Sequence, residues 1–172
     1  MYSTLPAKFD VAMTMRSLCV SPPLVPNQLF CYGTLCVADI MRRVIGALPV
    51  SAPATLTNYA CYALVGLAYP GIVPKKGATV KGLLYQGLSR AQLARLDAYE
   101  GVQYRRIRVW VAVGNGKRVQ TWTYVLQPRY YHRLTDANWS VEQFSREQLS
   151  QYLHHSHNQL GGLHGRESTQ ST

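Results

Sequence analysis

Apolar and polar positions divide the chain into a strand-rich middle with helices before, within and after it. Gln28-Leu29-Phe30-Cys31-Tyr32 is a short apolar run stopped by Gly33, the pattern of a buried strand. Over residues 36–48, Val37, Ile40, Met41, Val44, Ile45 and Leu48 recur at helical spacing, and Pro49 and Pro53 end the run. A helix with one apolar side is predicted there. Residues 54–66 are rich in aromatic and branched side chains and read as a strand. Residues 69–77, with Pro70, Gly71, Pro74 and Gly77, carry turn punctuation. Strand alternation returns over 78–85, with Val80, Gly82 and Leu84 set against Thr79, Lys81, Leu83 and Tyr85.

The second half opens on a helix. Ser89 followed three residues later by Gln92 has the form of a capping box. Leu93, Leu96 and then Tyr99 or Glu100 fall on one stripe, and Gly101 stands where helices end. Asn115-Gly116 is a preferred pair for a two-residue hairpin turn. Such a turn sets Val111 opposite Gln120, Val109 opposite Trp122 and Ile107 opposite Tyr124. Ile107, Val109, Val111 and Val113 then share a core face with Trp122, Tyr124 and Leu126, while Arg106 and Arg108 point the other way. Ser140 and Gln143 form a second possible capping box, opening a closing helix over 140–155. Strands with an early, a middle and a closing helix give an α+β domain. Period and turns do not say whether the sheet closes on itself, and no internal repeat or second-domain linker is present.

Composition narrows the picture. A chain of 172 residues, 47% hydrophobic and 15% charged, suits one globular domain. Eighteen Lys and Arg against eight Asp and Glu give a formal charge of +10. The basic residues come in short scattered runs (Arg42-Arg43, Lys75-Lys76, Arg105-Arg106), with no zinc-finger, RRM or basic-helix pattern. A field that attracts anionic small molecules is therefore expected, rather than a nucleic-acid partner. Nothing approaches transmembrane length, so no membrane partner is expected. Cys19, Cys31, Cys36 and Cys61 form no C-x-x-C pair and read as buried, reduced thiols of a cytoplasmic protein. His154, His155, His157 and His164 lack an acid or cysteine partner nearby, so no metal site is expected. Residues 1–26 are acid-poor, as a targeting segment would be, but hold few Arg and Ser. They read as an extension lying loosely on a domain of residues 27–157. Residues 158–172 read as a mobile tail, and a monomer is expected.

Two segments could carry chemistry. Glu100 would sit on the inward side of a last helical turn, the unfavourable end of the helix dipole for an anion. A partly buried carboxyl there is pushed upward, as proton transfer near neutral pH requires. A surface Glu at a frayed helix end is the plainer alternative. In the turn Tyr32-Gly33-Thr34-Leu35, Gly33 lets a ligand approach the backbone, and successive N–H groups suit a carboxylate or phosphate. An ordinary strand–helix turn is the plainer alternative. The turn lacks the glycine count of a nucleotide-binding loop. Asp97 would cap or pair locally. Tyr104 could pack against the core or touch a ligand, and Arg106 on the non-core face reads as structural.

Taken in order, these stretches resemble a known family. They are Phe30-Cys31-Tyr32-Gly33-Thr34-Leu35, Pro53-Ala54-Thr55-Leu56, Tyr69-Pro70-Gly71-Ile72-Val73-Pro74, Val80-Lys81-Gly82, and Leu96-Asp97-Ala98-Tyr99-Glu100-Gly101 with Tyr104 and Arg106. The series resembles the γ-glutamylcyclotransferase-like family, in the branch of the plant avirulence-induced-gene-like proteins and γ-glutamylamine cyclotransferases. It covers about residues 29–126. The resemblance implies a compact mixed β-barrel flanked by helices, with Tyr32, Gly33, Thr34 and Leu35 holding a γ-glutamyl head group and Glu100 as catalytic acid/base. Tyr104 stands beside them as a weaker candidate for a substrate contact. The implied reaction cyclises the γ-glutamyl group of a γ-glutamyl amino acid or amine to 5-oxoproline and needs no metal or other cofactor. A small-molecule-binding module of the same fold without catalysis is the alternative function.

Overall fold

A computed structural model describes residues 27–114 and 116–160. Cys19, the expected extension 1–26 and the tail beyond 160 lie outside the described residues. Five strands close on themselves: β1 (Leu29–Cys31), β2 (Ser51–Leu64), β3 (Pro70–Tyr85), β4 (Tyr104–Val113) and β5 (Lys117–Leu126). Around the barrel the order is β3-β1-β5-β4-β2, and β2 pairs with β3 to shut it. Only β1 and β5 run parallel, which makes the barrel mixed. A sixth strand, β6 (Leu134–Asn138), adds to the far end of β2. The helices are α1 (Ala38–Ile45), α2 (Arg90–Glu100), α3 (Val141–Glu147) and α4 (Leu149–Leu160).

The two faces of the strands serve two cores. Phe30, Leu56, Ile72, Leu84, Val111 and Val125, with residues from all five strands, fill the barrel. The opposite face, carrying Leu29, Tyr85, Tyr124 and Leu126, lies under Met41 of α1, Leu96 of α2 and Phe144 of α3. Period-two alternation thus feeds both cores, while positions away from the helices, such as residues 74–77 of β3, stay exposed. At Gly82 a Cβ would run into the Cys31 carbonyl and the Phe30 ring, so β1 and β3 approach here only because this position has no side chain.

Four expectations are corrected. The first helix is shorter than residues 36–48. A 3-10 turn (Thr34–Cys36) precedes it, and Gly46 at φ 77 stops it by donating its N–H to the Arg42 carbonyl. Leu48 is accordingly 43% exposed.

Residues 69–77 are mostly strand rather than turn, because the reversal comes earlier, around Gly66 at φ 70. Pro70 and Pro74 are four residues apart, so both missing N–H groups face the same side of β3 and alternate residues keep the ladder with β2. Asn58 (φ 62) absorbs a bulge, its side-chain oxygen accepting the Gly77 N–H at 3.1 Å.

The β4–β5 register is one residue off the predicted one. Val111 faces Val119, Val109 faces Thr121 and Ile107 faces Thr123. Lys117 pairs with Val113, leaving a three-residue connection in which Gly114 and Gly116 take φ 50 and 90. Asn115 itself lies outside the described residues. The faces of β4 are as predicted, with Val109 and Val111 inward, but those of β5 are exchanged. Trp122 and Tyr124 therefore stand beside Arg108 and Arg106, whose guanidinium groups lie 4.6 and 4.9 Å from the Trp122 ring.

The closing helix is broken at Gln148 into α3 and α4. Ser140 does cap α3 by accepting the Gln143 N–H, but the Gln143 side chain goes to Glu147 instead of closing the box.

Among the described residues no helix is long and apolar enough to cross a membrane. Cys31, Cys36 and Cys61 are free thiols, and burial pushes the latter two up to about 12, leaving them protonated.

Candidate active site

Helix α2 delivers Glu100. Its start is fixed by a complete capping box: Ser89 Oγ accepts the Gln92 N–H at 3.1 Å, and Gln92 Oε1 accepts the Ser89 N–H at 2.9 Å. Leu93 and Leu96 bury the inner stripe. Gly101 at φ 64 donates its N–H to the Asp97 carbonyl and ends the helix directly after Glu100. One turn before Glu100, the Asp97 carboxylate accepts Arg106 Nε at 2.9 Å and Nη2 at 3.1 Å, and the Tyr124 hydroxyl at 2.8 Å. That fork and the phenol clamp the last turn of α2 onto β4 and β5. Asp97 and Arg106 are thus structural to each other, and neither lines the cavity described next.

Glu100, Tyr32, Gly33, Thr34, Leu35 and Tyr104 all line one cavity of about 360 Å³. Within it their roles differ. The Tyr32 hydroxyl is committed to the Tyr124 carbonyl at 2.9 Å. Gly33 is at φ −115, so it is not needed for a left-handed turn. A Cβ there would lie 2.9 Å from Pro70 Cγ, which gives the glycine a packing reason. The first bonds of the 3-10 turn run from Cys36 N–H to Gly33 and from Val37 N–H to Thr34, so the turn's own ladder leaves out the Thr34 and Leu35 N–H groups. Tyr104 is buried, and its hydroxyl donates to the Pro70 carbonyl at 2.7 Å.

The same cavity gathers residues that local sequence reading missed: Tyr69, Pro70, Tyr124 and Tyr152, with Tyr99 beside Glu100. Tyr99 was on the predicted stripe of α2. Tyr124 was hidden by the register slip and Pro70 by its reading as a turn. Tyr152 on α4 carries no local signal. His132 is exposed and does not line the cavity. Among the described residues no group of three or more His, Cys, Asp or Glu side chains could hold a metal ion.

Among the described residues, six tyrosines and one carboxyl, with no Lys, Arg or His, make the lining nearly uncharged. Glu100 keeps partial solvent contact through the cavity, yet protein crowds its carboxyl and desolvation pushes it up to about 8. Burial also pushes Tyr99, Tyr104 and Tyr124 upward, reinforced by the Glu100 charge at Tyr104 and by Asp97 at Tyr124, so these phenols stay neutral at any ordinary pH.

The raised carboxyl predicts a stability signature. In an unfolded chain a Glu loses its proton near pH ~4.3, and in the fold near about 8. Between these values the native state holds a proton that the unfolded state has lost, so stability falls as pH rises through the window. Glu100→Gln removes this loss. The variant should melt a few degrees above the parent at pH 9, with the gap closing as pH falls toward 4. Melting curves that stay parallel from pH 4 to 9 would contradict the raised carboxyl.

Comparison with known proteins agrees with the fold. Residues 29–141 match the model of a family described as gamma-glutamyl cyclotransferase, AIG2-like. AIG2-like protein D of Arabidopsis thaliana is 28% identical over 136 residues, spanning 78% of this chain and 89% of the relative. Protein AIG2 C of the same plant is 32% identical over 120 residues, spanning 67% and 73%. A solution structure of an Arabidopsis thaliana protein is similar with a TM-score of 0.58 at 26% identity, covering 86% of this chain and 93% of that one. A solved structure named gamma-glutamyl cyclotransferase shares the fold at 20% identity, with a TM-score of 0.53 over 61% of this chain and 73% of its own.

Proposed function

The chain belongs to the γ-glutamyl cyclotransferase, AIG2-like family, and from that premise we propose that it cyclises the γ-glutamyl group of a γ-glutamyl amino acid or amine to 5-oxoproline. The observation that supports this most is one cavity whose lining includes both a raised carboxyl and a loop with N–H groups outside its own ladder.

The nucleophile of this reaction is in the substrate. Its free α-amine attacks its own γ-carbonyl carbon, the new C–N bond closes a five-membered ring, and the old amide C–N bond breaks to release the amine. The protein has to hold a folded conformer and move a proton. The α-carboxylate sits on the Thr34 and Leu35 N–H groups, which directs the α-amine toward Glu100. Glu100 takes the proton that the amine loses and returns it to the departing nitrogen, a service worth roughly 10²–10⁴-fold. The electrostatics suit this task. The α-amine of a γ-glutamyl compound stands beside a free α-carboxylate, which holds its pKa somewhat above the ~8 of a peptide N-terminus, while Glu100 is at about 8. One proton shared between them moves in either direction at little cost. A carboxyl that keeps its proton to about pH 8 is matched to exchanging one with an amine, which favours catalysis over a binding module.

The active complex therefore carries one proton between Glu100 and the amine. Below about pH 8 both groups hold a proton, and above the pKa of the amine both have lost theirs. The kcat/KM for a γ-glutamyl substrate should rise with unit slope up to about pH 8 and fall with unit slope above the pKa of the substrate amine. A plateau extending down to pH 5 would mean that Glu100 is not the proton carrier.

A further inference from the structure

Most of the phenols that line the cavity are already bonded to protein. Each carries a single proton, and Tyr32, Tyr104 and Tyr124 donate theirs to the Tyr124 carbonyl, the Pro70 carbonyl and the Asp97 carboxylate. Tyr99 and Tyr152 bond each other at 2.7 Å, and Tyr99 also bonds Thr34 at 3.2 Å. Tyr69 is the exception. Among the described residues nothing hydrogen-bonds its hydroxyl, and the protein does not seal that oxygen away. The hydroxyl is close enough to those of Tyr104 and Tyr152 to oppose their ionisation, so it belongs to the same cluster around the cavity.

The chain holds Tyr69 from both sides. The carbonyl before it, of Ala68, accepts Trp139 Nε1 at 3.0 Å, and the carbonyl after it, of Pro70, accepts the Tyr104 hydroxyl at 2.7 Å. Pro70 also narrows the conformations open to the residue that precedes it. The Tyr69 ring leans on the Tyr104 ring, with centroids 6.4 Å apart. A donor fixed in this way needs little rearrangement to meet a developing charge.

We propose that Tyr69 is a catalytic residue: its uncommitted O–H donates to the γ-carbonyl oxygen of the substrate as negative charge develops there. This rests on the proposed cyclisation. When the α-amine forms the new C–N bond, the carbonyl π pair moves onto oxygen. The phenol steadies that oxyanion through a hydrogen bond and keeps its own proton. As the old amide C–N bond breaks, the pair returns to the carbonyl, and the departing nitrogen takes its proton from Glu100. Among the described residues no Lys, Arg or His lines the cavity, and the Thr34 and Leu35 N–H groups hold the α-carboxylate. A phenol is the kind of donor this lining offers, and Tyr69 is the one not bonded to protein.

The test uses whichever of L-γ-glutamyl-L-alanine, Nε-(L-γ-glutamyl)-L-lysine and glutathione the parent turns over, with its γ-thioamide counterpart, and follows release of the amine. Tyr69→Phe keeps the ring on Tyr104, so a melting curve should show the fold intact. On the oxygen substrate kcat should fall roughly 10²-fold, with KM changed less than about threefold. Sulfur is a weak acceptor, so on the thioamide the two proteins should differ less than about fivefold. A merely structural phenol would cost both substrates alike. Calorimetric titration with 5-oxo-L-proline, whose carbonyl carries no developed charge, should give affinities within about threefold. Equal losses on both substrates, an unchanged kcat on the oxygen substrate, or a parallel loss of 5-oxo-L-proline affinity would overturn the proposal and leave the cyclisation standing. A parent that releases the amine from none of the three compounds would overturn the cyclisation, and the proposal with it.

Discussion

Glu100→Gln should lower turnover of a γ-glutamyl substrate by about 10²-fold or more while changing KM little. Gln keeps the size and a hydrogen-bonding terminus but neither accepts nor returns a proton at neutral pH. The fold should survive the change, because the position is held by the Ser89 cap, by Leu96, and by the Asp97 clamp to Arg106 and Tyr124 rather than by Glu100 itself. In the free protein at pH 7 the native carboxyl at about 8 is already mostly neutral, so the substitution removes no standing charge that substrate binding depends on. Steady-state kinetics together with a melting curve checks both halves. Ordinary turnover in this variant would remove the catalytic assignment.

Gly33→Val should act on binding first. Even the first carbon of the side chain would stand 2.9 Å from Pro70 Cγ and 3.0 Å from Cδ. Either the loop 32–35 lifts, carrying the Thr34 and Leu35 N–H groups with it, or Pro70 retreats. Retreat of Pro70 also moves the carbonyl that receives the Tyr104 hydroxyl. Both movements deform the same cavity, so kcat/KM should fall more than about tenfold through a raised KM. Overpacking of this kind costs about 1–3 kcal/mol of stability. Gly33→Ala should show the same trend at smaller size. A Gly33→Val protein with an unchanged KM would mean that the loop does not hold the head group.

What could be read from the sequence was what depends on neighbours a few residues apart. The Ser89–Gln92 box, the Leu93–Leu96 stripe and Gly101 located the end of α2, and with it Glu100, from local chemistry alone. Gly33 was singled out in the sequence for a different reason from the one its packing shows. The sequence suggested close approach of a ligand, whereas the structure adds the Pro70 ring, which comes from a strand nearly forty residues away. The β5 face failed because a two-residue and a three-residue turn are both compatible with the glycines at 114 and 116, and one residue of register exchanges every side chain. Pro70 and Pro74 read as turn residues because a strand accepts proline only where its N–H would bond nothing, which pairing decides and local pattern does not. Barrel closure and the arrival of Tyr152 from α4 are long-range outcomes of how the strands pair and how α4 packs beyond them. No periodicity encodes them.

The claim that one carboxyl and one loop perform an intramolecular cyclisation is tested most directly by product analysis. The purified chain, incubated at pH 8 with a panel of γ-glutamyl dipeptides, γ-glutamyl amines and glutathione, should release 5-oxoproline and the free amine in equal amounts from at least one of them. The Glu100→Gln chain, in parallel, should release about a hundredth as much or less. No 5-oxoproline from any member of the panel, or equal release by the two proteins, would contradict it.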